Sequence, residues 1–427
     1  MLDASQVGER HYLQNSGTKK LAWWRKINFA GPGALIAVGY IDPGNWATDL
    51  AGGAYAGYAL LSVVMTSGLI AILLQIMSAR LGIATGLDLA HASRAAWPRI
   101  VWPLWCITEL AIIATDLAEV LGSAIALKLL FSIPIAIGVL LTAFDVLLIL
   151  AFDRRGSRML ERLVLVFLFI VACGLFYELL LSAPVMRDVL KGFVPDTRIA
   201  FDPKLFYLAI GVIGATIMPH NLYLHSHLVA KRYNGHDKKK MAKSASLNTF
   251  FSLSGSMLLN CALVILAASA FHFSGQKNVA EISDAYYLLS PLLGTNTAAI
   301  VFAIMLLAAG QSATITGTLA GEVVMTGFVR LRMPLWQRRL LTRTFALLPA
   351  LLVIIYLGEK GITPLMLGSQ VFLSLQLPIA MISLLFLTAD RKRMGQLVNN
   401  KWMKRFGWMS AILIILANIF LIVGILF

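Results

Sequence analysis

The chain has 427 residues, 59% of them hydrophobic and only 13% charged, with a mean hydropathy of +0.79. Soluble domains carry about 25% charged residues, so this composition excludes a soluble globular protein and predicts an all-α polytopic membrane protein, with apolar runs recurring from Ala30 to Phe427. The net charge of +15 is gathered in loops, where it sets topology; it does not mark a nucleic-acid surface.

In chain order, residues 1–30 read as a polar cytoplasmic tail without the apolar core of a signal peptide. Eleven spans follow at about 31–54, 58–80, 100–128, 133–151, 159–182, 204–229, 245–271, 297–328, 341–357, 363–388 and 406–427. An N-terminus in the cytoplasm puts "KKLAWWRK", "DRRGSR", "KRYNGHDKKKMAK", "RLRMPLWQRR" and "DRKR" all inside. On that topology 29 of the 36 Lys and Arg face the cytoplasm and 7 lie elsewhere, as the positive-inside rule requires, and the C-terminus ends outside. Residues 183–203 and 272–296 are then outer loops. Cys106, Cys173 and Cys261 lie in apolar runs without CxxC spacing and read as small packing residues. N-x-Ser/Thr sequons are absent, which fits a bacterial inner membrane. Nothing in the sequence sets an oligomeric state, and the expected working unit is a monomer.

Two spans are interrupted. The first carries "DPGN", Asp42, Pro43, Gly44 and Asn45; the sixth carries "MPHN", Met218, Pro219, His220 and Asn221. Proline removes a backbone donor and clashes with the preceding turn, and Gly44 permits backbone angles that other residues resist. Each break should unwind about one turn and free carbonyl oxygens, which is tolerated only where the backbone lines a cavity or is buried in protein. Five spans separate the breaks, so the two helices run in opposite directions. Paired breaks at matching places are the sequence mark of an inverted-repeat transporter with its site at the midplane. The expected division is a first repeat over 31–182, the outer loop 183–203, a second repeat over 204–388, and a cytoplasmic loop with an added eleventh span over 389–427.

An acid at that depth costs roughly 2.5–3.5 kcal/mol on insertion scales unless neutralised, and a cation would neutralise it. Asp42 offers a carboxylate, Asn45 an amide oxygen, and the unwound segments carbonyls, foremost those of Gly39 and Ala215. The Met218 thioether is a soft ligand from which Mg²⁺ and Ca²⁺ gain little, whereas Mn²⁺, Fe²⁺ or Cd²⁺ accept it. Each residue alone has a plainer reading: prolines and glycines kink transmembrane helices, and methionine packs. Their conjunction in two matched breaks favours a site.

"DPGN" and "A-x-x-MPHN" (Ala215 to Asn221), with "MPHNLYLHS", "GQSATITGTLAG" and "RRLLTR", resemble the signatures of the Nramp family of proton-coupled divalent metal transporters over almost the whole chain. The resemblance implies a LeuT-like fold with a 5+5 inverted repeat and import of Mn²⁺, often with Fe²⁺ and Cd²⁺, coupled to protons, as in the bacterial manganese branch. It implies a transporter without enzymatic activity or a resident cofactor, whose partners are the metal substrate, protons and the bilayer. Carried over by position, Asp42, Asn45, Met218 and the Ala215 carbonyl would be ligands, and Gln370 in "GSQVFLSLQLP" would join them in the occluded state; a glutamine that merely bridges helices is the alternative. Met218 speaks against the magnesium-transporting relatives. Glu322 in "LAGEVVM" departs from the glutamine expected there and, near the cytoplasmic end of its span, bears on gating more than on ligation.

The third span carries Glu109, Asp116 and Glu119, whose offsets of seven and three put them on one helical face. Three ionised acids there would repel one another, so a basic partner or a bound proton is required. Candidate neighbours are His220 and Arg343, and the family pattern places an arginine near these acids. The proton route expected is Asp42 as coupling group, His220 as modulator, and Asp116, Glu119 and Arg343 as exit, with Glu109 a further member. His225 and His227 lie two apart and so face different sides of their helix. Asp145 and Asn260 read as polar ties between helices. The rival reading is a cation-coupled amino-acid transporter of the same broken-helix architecture, which Asp42 disfavours because it would repel a substrate carboxylate. An intramembrane metalloenzyme is disfavoured by the absence of HExxH.

Overall fold

The computed structural model describes residues 31–144, 157–233, 237–276, 282–331 and 333–426. The expected tail 1–30, Asp145 and most of the loop that follows it lie outside the described residues. The first crossing is split into α1 (Pro32–Gly39) and α2 (Pro43–Ala56). Then come α3 (Leu61–Thr85), a short α4 (Leu89–Ala96), α5 (Val101–Phe131), α6 (Ile135–Leu141) and α7 (Ser157–Ser182). The sixth crossing is likewise split, into α8 (Pro203–Thr216) and α9 (Pro219–Arg232), followed by α10 (Lys238–Ala267), α11 (Asn296–Val329), α12 (Leu335–Leu357), α13 (Ile362–Ala389) and α14 (Lys401–Leu426).

Among the described residues nine helical stretches are long and apolar enough to cross a membrane. One of them, Pro43–Thr85, runs for 43 residues, about twice what a bilayer needs. Gly57, at φ 66°, turns the chain inside it, so α2 and α3 belong to successive crossings. Of the fourth expected span only Ile135–Phe144 is described. The arrangement is consistent with eleven spans, two of them broken.

Local chemistry explains the breaks. Asp42 is the N-cap of α2, its carboxylate accepting from the Asn45 N–H, and Pro43 takes the first helical position, where its missing donor is harmless. α8 opens in the same way, on Asp202 and Pro203. α9 also opens on a proline, yet its N-cap is Met218, a side chain that makes no capping hydrogen bond. The loop 183–203, expected outside, is not plain coil: it holds short helices at Met186–Gly192 and Arg198–Phe201. α12 begins at Leu335, six residues before the expected ninth span, and this brings Arg338 and Arg339 into the bundle.

The inner helices α1, α2, α8 and α9 are enclosed by α3, α5, α10, α11 and α13. Pro43 sits where a side chain on Gly122 of α5 would otherwise lie, so the first break is seated in a notch on that helix. Exposed apolar side chains on α7, α12 and α14, among them Phe169, Ile355 and Leu416, form the outer surface expected to meet lipid.

Candidate metal site at the two helix breaks

The breaks meet at the centre of the bundle. Asp42 Oδ1 accepts from the Asn45 backbone N–H at 2.9 Å and from Asn45 Nδ2 at 2.8 Å. The same Nδ2 donates across the break to the Ala215 carbonyl at 3.1 Å. One amide therefore joins the carboxylate of the first break to a freed carbonyl of the second. Asn45 Oδ1 faces the other way and accepts from Asn260 Nδ2 at 3.4 Å. The sequence reading gave Asn45 an oxygen ligand; here its nitrogen is turned inward, because carboxylate and carbonyl oxygens only accept and an amide between them must offer its donors. Asn260, expected as a helix tie, also donates to the Tyr40 carbonyl at 2.9 Å, so it holds both the end of α1 and the site.

Met218 is 1% exposed, and its sulfur accepts from Asn221 Nδ2 at 3.3 Å. Gln370 on α13 packs its amide against Gly44, where a side-chain Cβ would come within 2.8 Å of Oε1, and donates to Ser369 Oγ at 3.0 Å. Gly39 ends α1 with Asn221 packed against it. Asn221 and Gln370 thus pack against the two glycines that flank Asp42 in the first break. Four buried acceptors on the residues of this neighbourhood, Asp42 Oδ2, Asn221 Oδ1, Asn260 Oδ1 and Gln370 Oε1, have no hydrogen-bond partner among the described residues. Buried acceptors without donors each cost about 1–3 kcal/mol, and a concentration of them around one carboxylate is what a cation-binding space requires. Among the described residues no group of three or more His, Cys, Asp or Glu is placed to hold a metal. A metal here must therefore use one acid with neutral oxygens and the thioether, and the donor set fits that description.

The third-span acids meet arginines of α12. Arg343 Nη1 lies 2.7 Å from Asp116 Oδ1, and Arg339 Nη1 lies 2.8 Å from the same oxygen. Arg339 Nη2 is 3.4 Å from Glu119 Oε2, which also accepts from Thr314 Oγ1 at 3.1 Å. Arg338 pairs with Glu109 Oε1 at 2.8 Å. The sequence reading named Arg343 and missed Arg338 and Arg339, having ended the loop too late; the i, i+4 spacing of 339 and 343 was the available signal. His220 Nδ1 stands 3.5 Å from Thr115 Oγ1, which connects the second break to the turn bearing Asp116.

His225 and His227 face different sides, as their spacing requires. His225 is buried, with Nδ1 at 2.9 Å from Gln75 Oε1, while Gln75 Nε2 donates to Tyr40 Oη at 3.0 Å. His227 Nδ1 lies 3.1 Å from Asp88 Oδ2, which also meets His91 Nδ1 at 2.8 Å. Asp49 was passed over in the sequence. It is fully buried, both its oxygens lack a hydrogen-bond partner among the described residues, and it continues the Asp42–Asn45 face of α2 by one turn. Glu322 is half-buried near the end of α11, two turns of helix past Thr314.

Comparisons with known proteins agree with this arrangement. The profile of the Nramp family, described as natural resistance-associated macrophage protein-like, matches residues 33–424. A protein named divalent metal cation transporter MntH, from Nostoc sp., is 50% identical over 94% of this chain and 92% of its own length. A crystal structure of the Eremococcus coleocola manganese transporter superposes with a TM-score of 0.84 at 38% identity, over 94% of this chain and 88% of that one. Mhp1, a nucleobase-cation-symport-1 family transporter, aligns at 14% identity with a TM-score of 0.63 over 92% of each chain, and so shares the LeuT-like fold alone. With its two broken helices, its fold and these relatives, the chain belongs to the Nramp family.

Proposed function

We propose that this protein is a secondary active importer of divalent transition metal ions, Mn²⁺ foremost and also Fe²⁺ and Cd²⁺, coupled to protons by alternating access. The observation that carries the reading is the Asn45 amide held between Asp42 and the Ala215 carbonyl, with buried acceptor oxygens on Asp42, Asn221, Asn260 and Gln370 that lack donors among the described residues. A divalent ion entering between the two breaks attracts these oxygens and reverses the preference that turns the Asn45 nitrogen inward. The amide then rotates about Cβ–Cγ and offers Oδ1. Asp42, Asn45, Met218 and the carbonyls of Ala215 and Gly39 would hold the ion, and Gln370 would close over it from α13.

Binding requires a deprotonated carboxylate and so is linked to proton movement. A proton leaving Asp42 would pass His220 toward Asp116 and Glu119, whose charges the α12 arginines balance, and exit on the side of the basic loops, which is taken as the cytoplasm. Glu109, paired with Arg338, would be the last acid on that face. α1–α2 and α8–α9 would then rock to open the inner side. The rival, an amino-acid carrier, needs free helix N-termini to receive a substrate carboxylate. At α2 that place is already taken by the Asp42 carboxylate.

The test is uptake into proteoliposomes holding a pH-sensitive dye. Addition of external Mn²⁺ is expected to bring metal into the lumen and acidify it together. Metal entry with no pH change removes the coupling, and an absence of divalent uptake removes the whole reading.

A further inference from the structure

Away from the transport site, the side bearing the basic loops contains a cavity of about 580 Å³ that the transport mechanism does not use. Lys238 and Lys239 at the start of α10 and Lys392 and Arg393 just after α13 line it, with Ala84 of α3 and Leu397 behind them. Two segments far apart in sequence thus bring four cations to one concavity, where Asp237 is the single lining acid. Asp237 is engaged by Lys240 at 3.0 Å, and Arg393 by Asp390 at 3.1 Å. Lys238 Nζ donates to the Ala84 carbonyl at 2.8 Å. The ammonium groups of Lys239 and Lys392 have no acidic partner among the described residues. Cations gathered at a helix start oppose its dipole, so α10 gains from an anion placed there.

The depth of the cavity selects the anion. α3 ends at Thr85, α13 ends at Ala389, α10 starts at Lys238 and α14 starts at Lys401, so four spans terminate around it at the level where hydrocarbon gives way to headgroups. Trp402, 64% exposed with Arg405 over its ring at 5.8 Å, marks the same level. Lys239, Lys243, Leu247 and Phe250 succeed one another at helical spacing on one exposed face of α10, cationic at the cavity and apolar toward the bilayer. A free phosphate would use only the first half of that stripe. An amphiphile with a phosphate head and acyl chains would use all of it.

We propose that this cavity binds the phosphate headgroup of an anionic phospholipid, with the acyl chains lying along α10. Full-length protein in phosphatidylcholine nanodiscs containing a minority of phosphatidylglycerol or cardiolipin, released into native mass spectrometry, is expected to retain the anionic lipid in preference to phosphatidylcholine. The pair Lys239→Glu and Lys392→Glu is expected to lower that retention by about tenfold or more, while Lys404→Glu with Arg405→Glu, in the same interface but outside the cavity, leaves it unchanged. The neutral pair Lys239→Gln and Lys392→Gln, with wild-type thermal unfolding, checks that the loss is not misfolding. Equal retention of neutral and anionic lipid overturns the proposal, as does equal loss in both reversed pairs. Displacement of the lipid by excess inorganic phosphate would assign the cavity to a free anion instead and overturn the lipid source.

Discussion

Met218 stands at the N-cap of α9, where Ser, Thr, Asp or Asn would supply a capping oxygen worth about 1 kcal/mol and methionine supplies none. Under the proposed function the same side chain would be a soft ligand at a site otherwise made of oxygens, and selectivity against hard ions would offset the loss at the cap. Met218→Ala is therefore expected to keep Mn²⁺ uptake measurable but make it strongly inhibitable by excess Mg²⁺ or Ca²⁺, with an affinity loss for Mn²⁺ of about tenfold. Competition uptake assays measure this directly, and an unchanged response to the hard ions would leave Met218 as packing. At this scale the sequence singled out Asp42, Asn45 and Met218 as candidates, because an acid, an amide and a thioether beside intramembrane prolines are conspicuous. The orientation of the Asn45 amide was not legible, since it depends on what faces it from Ala215, 170 positions away. Asp49 was not legible for a different reason: an acid one turn beyond a motif looks like part of a polar helix face until its burial is known.

Among the elements, α12 shows how a boundary error hides chemistry. Ending the basic loop at 340 left Arg338 and Arg339 as topology signals, whereas α12 starts at Leu335 and carries both into the interior, 2% exposed, against the acids of α5. Buried ion pairs are expensive to break singly, about 3–5 kcal/mol, because the partner left behind keeps its charge. Arg339→Gln should therefore lower the thermal stability of the purified protein markedly, and adding Glu119→Gln should recover part of the loss. Additive losses in that double-mutant cycle would mean that the two side chains do not interact.

The clasp at α4 is a second case. Asp88 caps α4, accepting from the His91 N–H at 2.9 Å, and its other oxygen meets both His91 and His227. Burial pushes its carboxyl up, but the hydrogen bonds from His227 and His91 outweigh burial and hold it well below the usual carboxylate range. A depressed value in the folded state means stabilisation that is fully present above the unfolded value of about 3.9 and lost as pH falls through the folded one. Asp88→Asn keeps a capping oxygen and loses the charge. It should lower stability by about 1–2 kcal/mol at neutral pH, with the gap from wild type closing only below about pH 4. Thermal scans across pH check the sign, and a gap that widens on acidification would contradict it.

For the whole molecule, the inverted pair of breaks carried more information than any single span. Hydropathy placed the crossings, the paired breaks pointed to an inverted-repeat transporter, and the resemblance to the Nramp family implied the LeuT-like fold, which the superposition on the Eremococcus coleocola transporter bears out. What hydropathy could not show is how the halves close. Asp42, Asn45, Met218 and Gln370 are each 0–1% exposed, so the candidate site is buried in this conformation. At the end of the bundle away from the basic loops, Tyr55 Oη donates to Asp202 Oδ2 at 2.8 Å and the Lys204 ammonium lies 4.3 Å over the Tyr55 ring, which ties the end of α2 to the start of α8. On the other side Leu89 N donates to Ser226 Oγ at 2.9 Å and Ser78 Oγ to the Leu222 carbonyl at 2.6 Å, which holds α9 against α3 and α4. With the His225–Gln75 and His227–Asp88 contacts, which join the same elements, these hydrogen bonds, worth about 0.5–1.5 kcal/mol each between neutral groups, are the ties that the proposed alternating access would break on one side at a time.

Whether a divalent transition metal sits between the two breaks, as proposed, is tested without relying on transport by anomalous diffraction from crystals grown with Mn²⁺. The expected result is a single strong manganese peak bounded by the Asp42 carboxylate, Asn45 Oδ1 in its rotated orientation, the Met218 sulfur and the Ala215 carbonyl, and its disappearance in Asp42→Ala. A peak elsewhere, with Asn45 Nδ2 still bridging Asp42 and Ala215, would contradict it.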